Sequence, residues 1–245
     1  MAYNEGVTRD SIMNQGKALV YDPTNTYNTV VHECQVMLSR LENKNGAYYY
    51  TGSLDGRFGT GMRNAVLSFQ QENVYACGTP DGKVGKNTLT ALDIAYEHRS
   101  DYNAYGSEVS ASYLMDNRIS EISLLARLIY AENTTSSQAR CNIAHVVYNR
   151  KQSSKFPNTY HGVAQDENQW TVICNGHENA RKPPRTTDAW MHALGLAKKL
   201  SAGSGLPGVL GSTLTKGQLY ARKDGTEPSG AKDIVRVGRT VFYNL

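Results

Sequence analysis

Glu132 closes an apolar helical run, Ser123-Leu-Leu-Ala-Arg-Leu-Ile-Tyr-Ala-Glu132. It shares one helical stripe with Ile129, Leu125 and Ile122, three, seven and ten residues back. An acidic side chain on such a stripe is costly unless a partner or a task holds it there. A carboxyl in a partly desolvated cleft keeps its proton to higher pH. A general acid for glycosidic cleavage needs that property. Spacing alone leaves a second reading open, in which Glu132 lies one turn past the helix end, in water.

Other reactive residues form weaker patterns. Cys141 and His145 sit i, i+4 on one helix face. A Cys–His nucleophile pair normally draws its members from separate elements, and no third group accompanies them. The histidines at 32, 98, 145, 161, 177 and 192 show no HxxxH or HxH spacing, so no metal and no cofactor is expected. Cys34, Cys77, Cys141 and Cys174 make no CxxC and read as reduced, mostly buried thiols.

The elements around Glu132 follow from periodicity. A helix is expected from about 120 to 132. A polar turn, Asn133-Thr-Thr-Ser-Ser137, follows and is rich in capping side chains. A second helix is expected over about 138–151, with Ile143, Val146 and Val147 inward. A long loop spans about 152–186. A third helix runs from near Thr187 to near Gly203, burying Trp190, Leu194 and Ala197. Two strands are expected over 218–222 and 234–243.

The 245 residues suit two compact units. Residues 1–30 read as a polar N-terminal extension, 31–95 as a small helical domain, 96–118 as a linker and 119–245 as the second domain. No apolar run approaches the roughly 20 residues of a membrane span. The start, Met-Ala-Tyr-Asn-Glu-Gly, has neither a basic flank nor an apolar core, so no signal peptide is expected. The net charge is +4, and residues 119–245 hold 16 Lys and Arg against 9 Asp and Glu. Such a surface favours an anionic polymer. No nucleic-acid motif accompanies it, so nucleic acid is not an expected partner.

Residues 31–95 contain a half-repeat, Asp55-Gly56-Arg57-Phe58-Gly59 and Asp81-Gly82-Lys83-Val84-Gly85. Each half reads as a tight turn entering a helix, with Gly free to take positive φ. Ala65-Val66 and Phe69-Gln70 follow the first turn, and Thr88 and Ala91-Leu92 the second. A leading helix carries Gln35, Leu38 and Leu41. This pattern resembles the three-helix peptidoglycan-binding domain found beside many wall hydrolases.

The second unit carries an ordered series: Leu124-Leu-Ala-Arg-Leu-Ile-Tyr-Ala-Glu132, Val146-Val-Tyr-Asn-Arg150, Phe156-Pro-Asn-Thr159, Gly162-Val163, Gln169-Trp-Thr171 and Val237-Gly-Arg-Thr-Val-Phe-Tyr243. The series resembles the SleB-like cell-wall hydrolases, the family of the spore cortex-lytic enzymes. Three departures stand out. Asn133–Ser137 replaces the family's Gly-Glu-Pro loop, Asn168 and Trp170 stand in its Gly-Gln-Phe string, and its Tyr-Asn-Pro string is altered around Tyr220-Ala221-Arg222.

The resemblance implies an α+β, mainly helical protein: a three-helix binding domain, then a lysozyme-like catalytic domain with a small β element. It implies cleavage of the β-1,4 glycan strand of peptidoglycan, with Glu132 as the acid. A hydrolysing glycosidase needs two carboxylates. Glu121, Asp166, Glu167, Glu178 and Asp188 are candidates, and none lies in a family string. With one acid, the muramic C6 hydroxyl replaces water as nucleophile, so lytic transglycosylation is expected and a hydrolytic muramidase is the alternative. Gln169, Trp170 and Thr171 are expected at the sugar, with Tyr130, Asn149 and Tyr220 beside them. Asn149 and Arg150 could instead orient the helix that carries Glu132. The expected role is that of a monomeric phage or prophage endolysin, held in the host cytoplasm and acting on the wall after release. A spore cortex-lytic enzyme and a wall-binding structural protein are the other readings.

Overall fold

The computed structural model describes residues 3–245 apart from Asn168 and Leu206. The architecture is α+β and mainly helical, with one three-stranded sheet among the described residues. The chain divides into two compact units, Met1–Ser107 with Pro184–Thr187, and Glu108–Pro183 with Asp188–Leu245.

The first unit holds α1 (Arg9–Gln15), α2 (Thr29–Leu38), α3 (Thr60–Glu72), α4 (Val74–Cys77), α5 (Lys86–Glu97) and α6 (Arg99–Ala104). Its core joins Val31, Cys34 and Leu38 of α2, Met62, Val66 and Phe69 of α3, and Leu89 and Leu92 of α5. The two Asp-Gly turns are clamped alike. Gln35 of α2 accepts from Gly56 N at 2.8 Å and donates to Asp55 Oδ1 at 2.9 Å and Arg57 O at 3.2 Å. Gln70 of α3 accepts from Gly82 N at 2.8 Å and donates to Asp81 Oδ1 at 3.1 Å and Lys83 O at 2.9 Å. Both amides are buried, which is tolerable because their polar atoms are satisfied. Gly56 and Gly82 take φ of 69° and 72°, and a Cβ on Gly56 would stand 2.4 Å from the Tyr27 ring.

Residues 3–30 are not the loose arm their composition suggests. Ile12 and Leu19 are fully buried in the core of this unit. Thr8 and Ser11 cap α1 reciprocally. Asn28 donates to Asn4 O and Val7 O, each at 2.8 Å, and Arg9 pairs with Glu33 at 3.1 Å and with Asp93. Side-chain amides here satisfy main-chain groups that periodic apolar packing would otherwise bury, so a polar segment packs without a hydrophobic repeat. The expected linker is also partly folded. Tyr102 of α6 is buried, stacked on Phe69 at 6.3 Å and bonded to Tyr49 and Asn73 hydroxyl and amide groups at 2.9 Å. Arg185, from Pro184–Thr187, lies over the Tyr102 ring at 3.6 Å.

The second unit holds α7 (Ala111–Leu114), α8 (Glu121–Glu132), α9 (Ser137–Gln152), α10 (Tyr160–Ala164), α11 (Thr171–Cys174), α12 (Glu178–Arg181), α13 (Asp188–Ser201) and α14 (Pro207–Leu210). Then follow β1 (Tyr220–Arg222), β2 (Lys232–Val237) and β3 (Thr240–Asn244). Helix α8 is the axis of the unit. Ser123–Ala131 are all buried, and α9 to α13 each pack against it. Trp190, Leu194 and Ala197 of α13 face inward, as their spacing predicts. The expected loop over 152–186 contains α10, α11 and α12, helices too short to give a periodic signal. The expected strand over 234–243 is a hairpin instead, turned at Gly238 with φ 58°. The sheet order is β1-β3-β2, with Tyr220 opposite Tyr243.

Among the described residues no helix is long and apolar enough to cross a membrane. The four cysteines are free.

Candidate active site

Three local devices fix the end of α8. Ser120 caps its start by accepting from Ser123 N. Arg127, 1% exposed, donates to Ser123 Oγ at 3.0 Å, Ala180 O at 2.7 Å and Arg181 O at 3.2 Å, tying the helix to α12. Asn133 then leaves the helix, and its Oδ1 accepts from Thr135 N at 3.1 Å and Ser136 N at 2.7 Å. Ser136 in turn caps α9. The polar turn therefore reverses the chain directly after Glu132.

Glu132 is the residue so presented, its side chain 11% exposed. Burial pushes its carboxyl above the ordinary value, while Lys223, Arg150 and His177 draw it back down. Lys223 Nζ stands 3.1 Å from Glu132 Oε2 and donates to Ala131 O at 3.3 Å. A carboxyl raised by desolvation yet held among cations can both keep and surrender a proton.

Arg150 forms the wall behind the acid. Its guanidinium carbon lies 4.4 Å from the Trp170 ring centroid, 4.9 Å from Phe156 and 5.7 Å from Tyr220. Its Nε donates to Leu219 O at 2.6 Å. Burial lowers its pKa to about 10, against the opposing pull of Asp166, Tyr220 and Glu132. Arg150 Nη1 and Trp170 Nε1 are buried donors without an acceptor among the described residues.

The sequence-predicted residues divide between the wall of this site and the core. Tyr220 stacks on Tyr243 at 5.5 Å and stands beside Arg150. Trp170 is 2% exposed with Arg150 over its face, so it packs the wall and does not offer that face to a sugar. Tyr130 is buried edge-on to Trp190 at 6.0 Å, on the core side of α8. Asn149 donates to Gln218 O at 3.0 Å, and with Arg150 it anchors the entry to β1. Gln169 is half-buried, its N–H bonded to Asp166 O at 3.0 Å, and Thr171 is exposed at the start of α11. Asn168 lies outside the described residues. Lys223, Arg127 and His177 carry no role in the sequence reading. Lys223 is 91 positions from Glu132, and no local pattern could join them.

Of the five candidate second carboxylates, Glu121 begins α8 and so lies about 16 Å along the helix from Glu132, at about 1.5 Å per residue. Glu167, Glu178 and Asp188 are exposed. Asp166 is half-buried and acts on Arg150. The Cys141 thiol meets His192 Nε2 at 3.8 Å, and His145 meets Ser212 at 3.0 Å, so the i, i+4 pair is not a dyad. No group of three or more His, Cys, Asp or Glu suited to a metal occurs among the described residues.

In the first unit, a cavity of about 390 Å³ opens beside the second Asp-Gly turn, lined by Lys17, Asp81, Lys83, Lys86 and Asn87 among others.

Comparison with known proteins places these features. Residues 134–243 match the Cell Wall Hydrolase family, beginning two residues after Glu132, and residues 30–92 match a putative peptidoglycan binding domain. The chain is similar to two sequences of a spore cortex-lytic enzyme from Bacillus cereus, each 28% identical over 153 residues, covering 52% of this chain and 56% of the relative. It thus spans about half the length of the curated relatives it matches. No solved structure matches it. The chain carries a cell wall hydrolase domain behind a peptidoglycan-binding domain.

Proposed function

We propose that this protein degrades peptidoglycan, cleaving the β-1,4 bond between N-acetylmuramic acid and N-acetylglucosamine as a lytic transglycosylase with Glu132 as its one acid and base. The observation that carries the reading is the setting of Glu132. It is a nearly buried carboxyl whose strongest electrostatic neighbours are Lys223, Arg150 and His177. A hydrolase with a paired carboxylate needs a second acid within about 10 Å. In the proposed reaction neutral Glu132 gives its proton to the leaving glycosidic oxygen as the C1–O bond breaks. The carboxylate then takes the proton of the muramic C6 hydroxyl as that oxygen bonds to C1. Each cycle returns the proton to Glu132, and the product ends in a 1,6-anhydro ring.

Mass spectrometry of products from purified peptidoglycan tests this. Anhydro-muropeptides, lighter by one water than reducing-end products, are expected. Reducing ends alone would mean hydrolysis and direct attention to Asp166.

The order of a wall-binding domain before a wall-cutting domain suits an endolysin, with gain from two linked contacts on one polymer. The names of the curated relatives favour a second setting, the spore cortex. Digestion of vegetative wall beside cortex peptidoglycan separates the two: preferred release from vegetative wall supports the endolysin, and preferred release from cortex the spore enzyme.

A further inference from the structure

We propose that Lys223 is a positioning residue for the acid, an ammonium clamp that docks on Glu132 from the solvent side and sets the proton state from which the reaction begins. The proposal rests on the reading of Glu132 as the acid.

Geometry comes first. Lys223 Nζ bridges Glu132 Oε2 at 3.1 Å and Ala131 O at 3.3 Å, so it spans the C-terminal end of α8, where main-chain carbonyls lack helical partners. Its side chain is 44% exposed and that of Glu132 11%, so the lysine is the more solvent-accessible partner and covers part of a nearly buried carboxylate. Its own segment is held on both flanks. Upstream, Asn149 and Arg150 bind Gln218 O and Leu219 O, and β1 pairs with β3 through Arg222 and Val241. Downstream, Arg222 pairs with Asp224 at 2.7 Å, and Asp224 accepts from Thr226 N at 2.9 Å. A strand fixed at this register delivers Lys223 to the acid.

The surrounding charges leave a distinct part for Lys223. Arg150 reaches Glu132 from α9 and His177 from the start of α12. Asp166, before α11, acts on Arg150. On α13, His192 accepts from Arg140, and Lys199 acts on Cys141. Arg150 is buried and fixed by its aromatic wall, whereas Lys223 is a point charge on a flexible stem. Lys223 can therefore favour the carboxylate when docked, and release it to the neutral acid when a glycan oxygen takes its place.

The test is the pH dependence of initial rate on purified peptidoglycan, with full-chain Lys223→Met, Lys223→Arg and Glu132→Gln beside wild type. Turnover that starts from neutral Glu132 falls as pH rises through the pKa of that acid. Removing the cation raises that pKa, so Lys223→Met should move the high-pH limb upward, by about half to one pH unit for a half-exposed partner. Lys223→Arg keeps a cation and should hold the limb near its wild-type position. A merely structural lysine would lower the rate evenly at every pH. An unmoved limb in Lys223→Met, at any rate, overturns the proposal. So does an upward shift of the same size in Lys223→Arg. If Lys223→Met melts early, Lys223→Gln supplies the same comparison. Glu132→Gln keeps the two readings apart: its loss of activity with an unmoved Lys223→Met limb sinks the clamp alone, and its retained activity sinks the acid.

Discussion

Arg150 rests its guanidinium on the face of Trp170, 4.4 Å from the ring centroid, and through that contact the aromatic wall of the second unit acquires a fixed charge facing Glu132. The pairing answers two needs. The ring shields a charge that burial would otherwise penalise, and the charge gives the buried indole a partner for its face.

Replacing Arg150 should therefore damage both fold and turnover. Arg150→Met removes the bond to Leu219 O and uncovers three aromatic rings. A loss of about 2–4 kcal/mol in chemical denaturation is expected, with at least about a tenfold fall in rate. Arg150→Lys should recover little of either, because a lysine cannot span the Leu219 carbonyl and the Trp170 face together.

Arg127 should behave as a positioning residue at a distance. Two of its bonds tie α8 to the carbonyls of Ala180 and Arg181, on the helix that His177 caps, and one to Ser123 Oγ braces it within α8. Arg127→Met should cost about 2–4 kcal/mol by removing the donor to the buried Ala180 carbonyl and to the Ser123 hydroxyl, while Arg181 O keeps its bond from Val109 N. Thermal melts of the variant check this; a shift within error of wild type would mean that water replaces the lost bonds.

The glutamine clamps of the first unit make a separable prediction. Gln70→Leu strands the Asp81 and Gly82 N–H groups and the Lys83 carbonyl, so the binding domain should lose about 2–3 kcal/mol. Sedimentation with insoluble wall should show weakened binding. Cleavage of short soluble glycans should change far less, and an equal loss in both assays would contradict the assignment of wall binding to this unit.

Glu132 itself should tax stability above acidic pH. Its folded pKa is raised above the ordinary value of a glutamate carboxyl, with burial the largest cause. The sign follows from linkage: stability from the neutral form is full below the unfolded value and is lost as pH rises through the folded one. Glu132→Gln should therefore be more stable than wild type at neutral pH, and this advantage should shrink toward pH 4. Denaturation midpoints across that window check it; a constant difference would mean that the carboxyl titrates as if exposed.

Much of this was legible in local sequence. Glu132 stands at the end of its helix because the apolar run and Asn133 mark that end within a few residues. The Asp-Gly turns are readable because their glycines need positive φ, and Gln70 follows its helix in register. Trp170 misled because an indole in a loop looks like a sugar platform, and only tertiary packing places Arg150 over it. Lys223 was invisible because a strand must fold back across 91 positions to reach Glu132. The segment 3–30 hid its packing in asparagine and arginine bonds, which have no period.

The most direct test of the whole account is the rate of glycan cleavage by Glu132→Gln on purified peptidoglycan, with wall binding and melting measured in the same preparation. An acid and base in one carboxyl predicts a fall of about a hundred- to ten-thousand-fold, with binding intact and the melt unchanged or higher. Cleavage within a few-fold of wild type by a folded, wall-bound Glu132→Gln would contradict it.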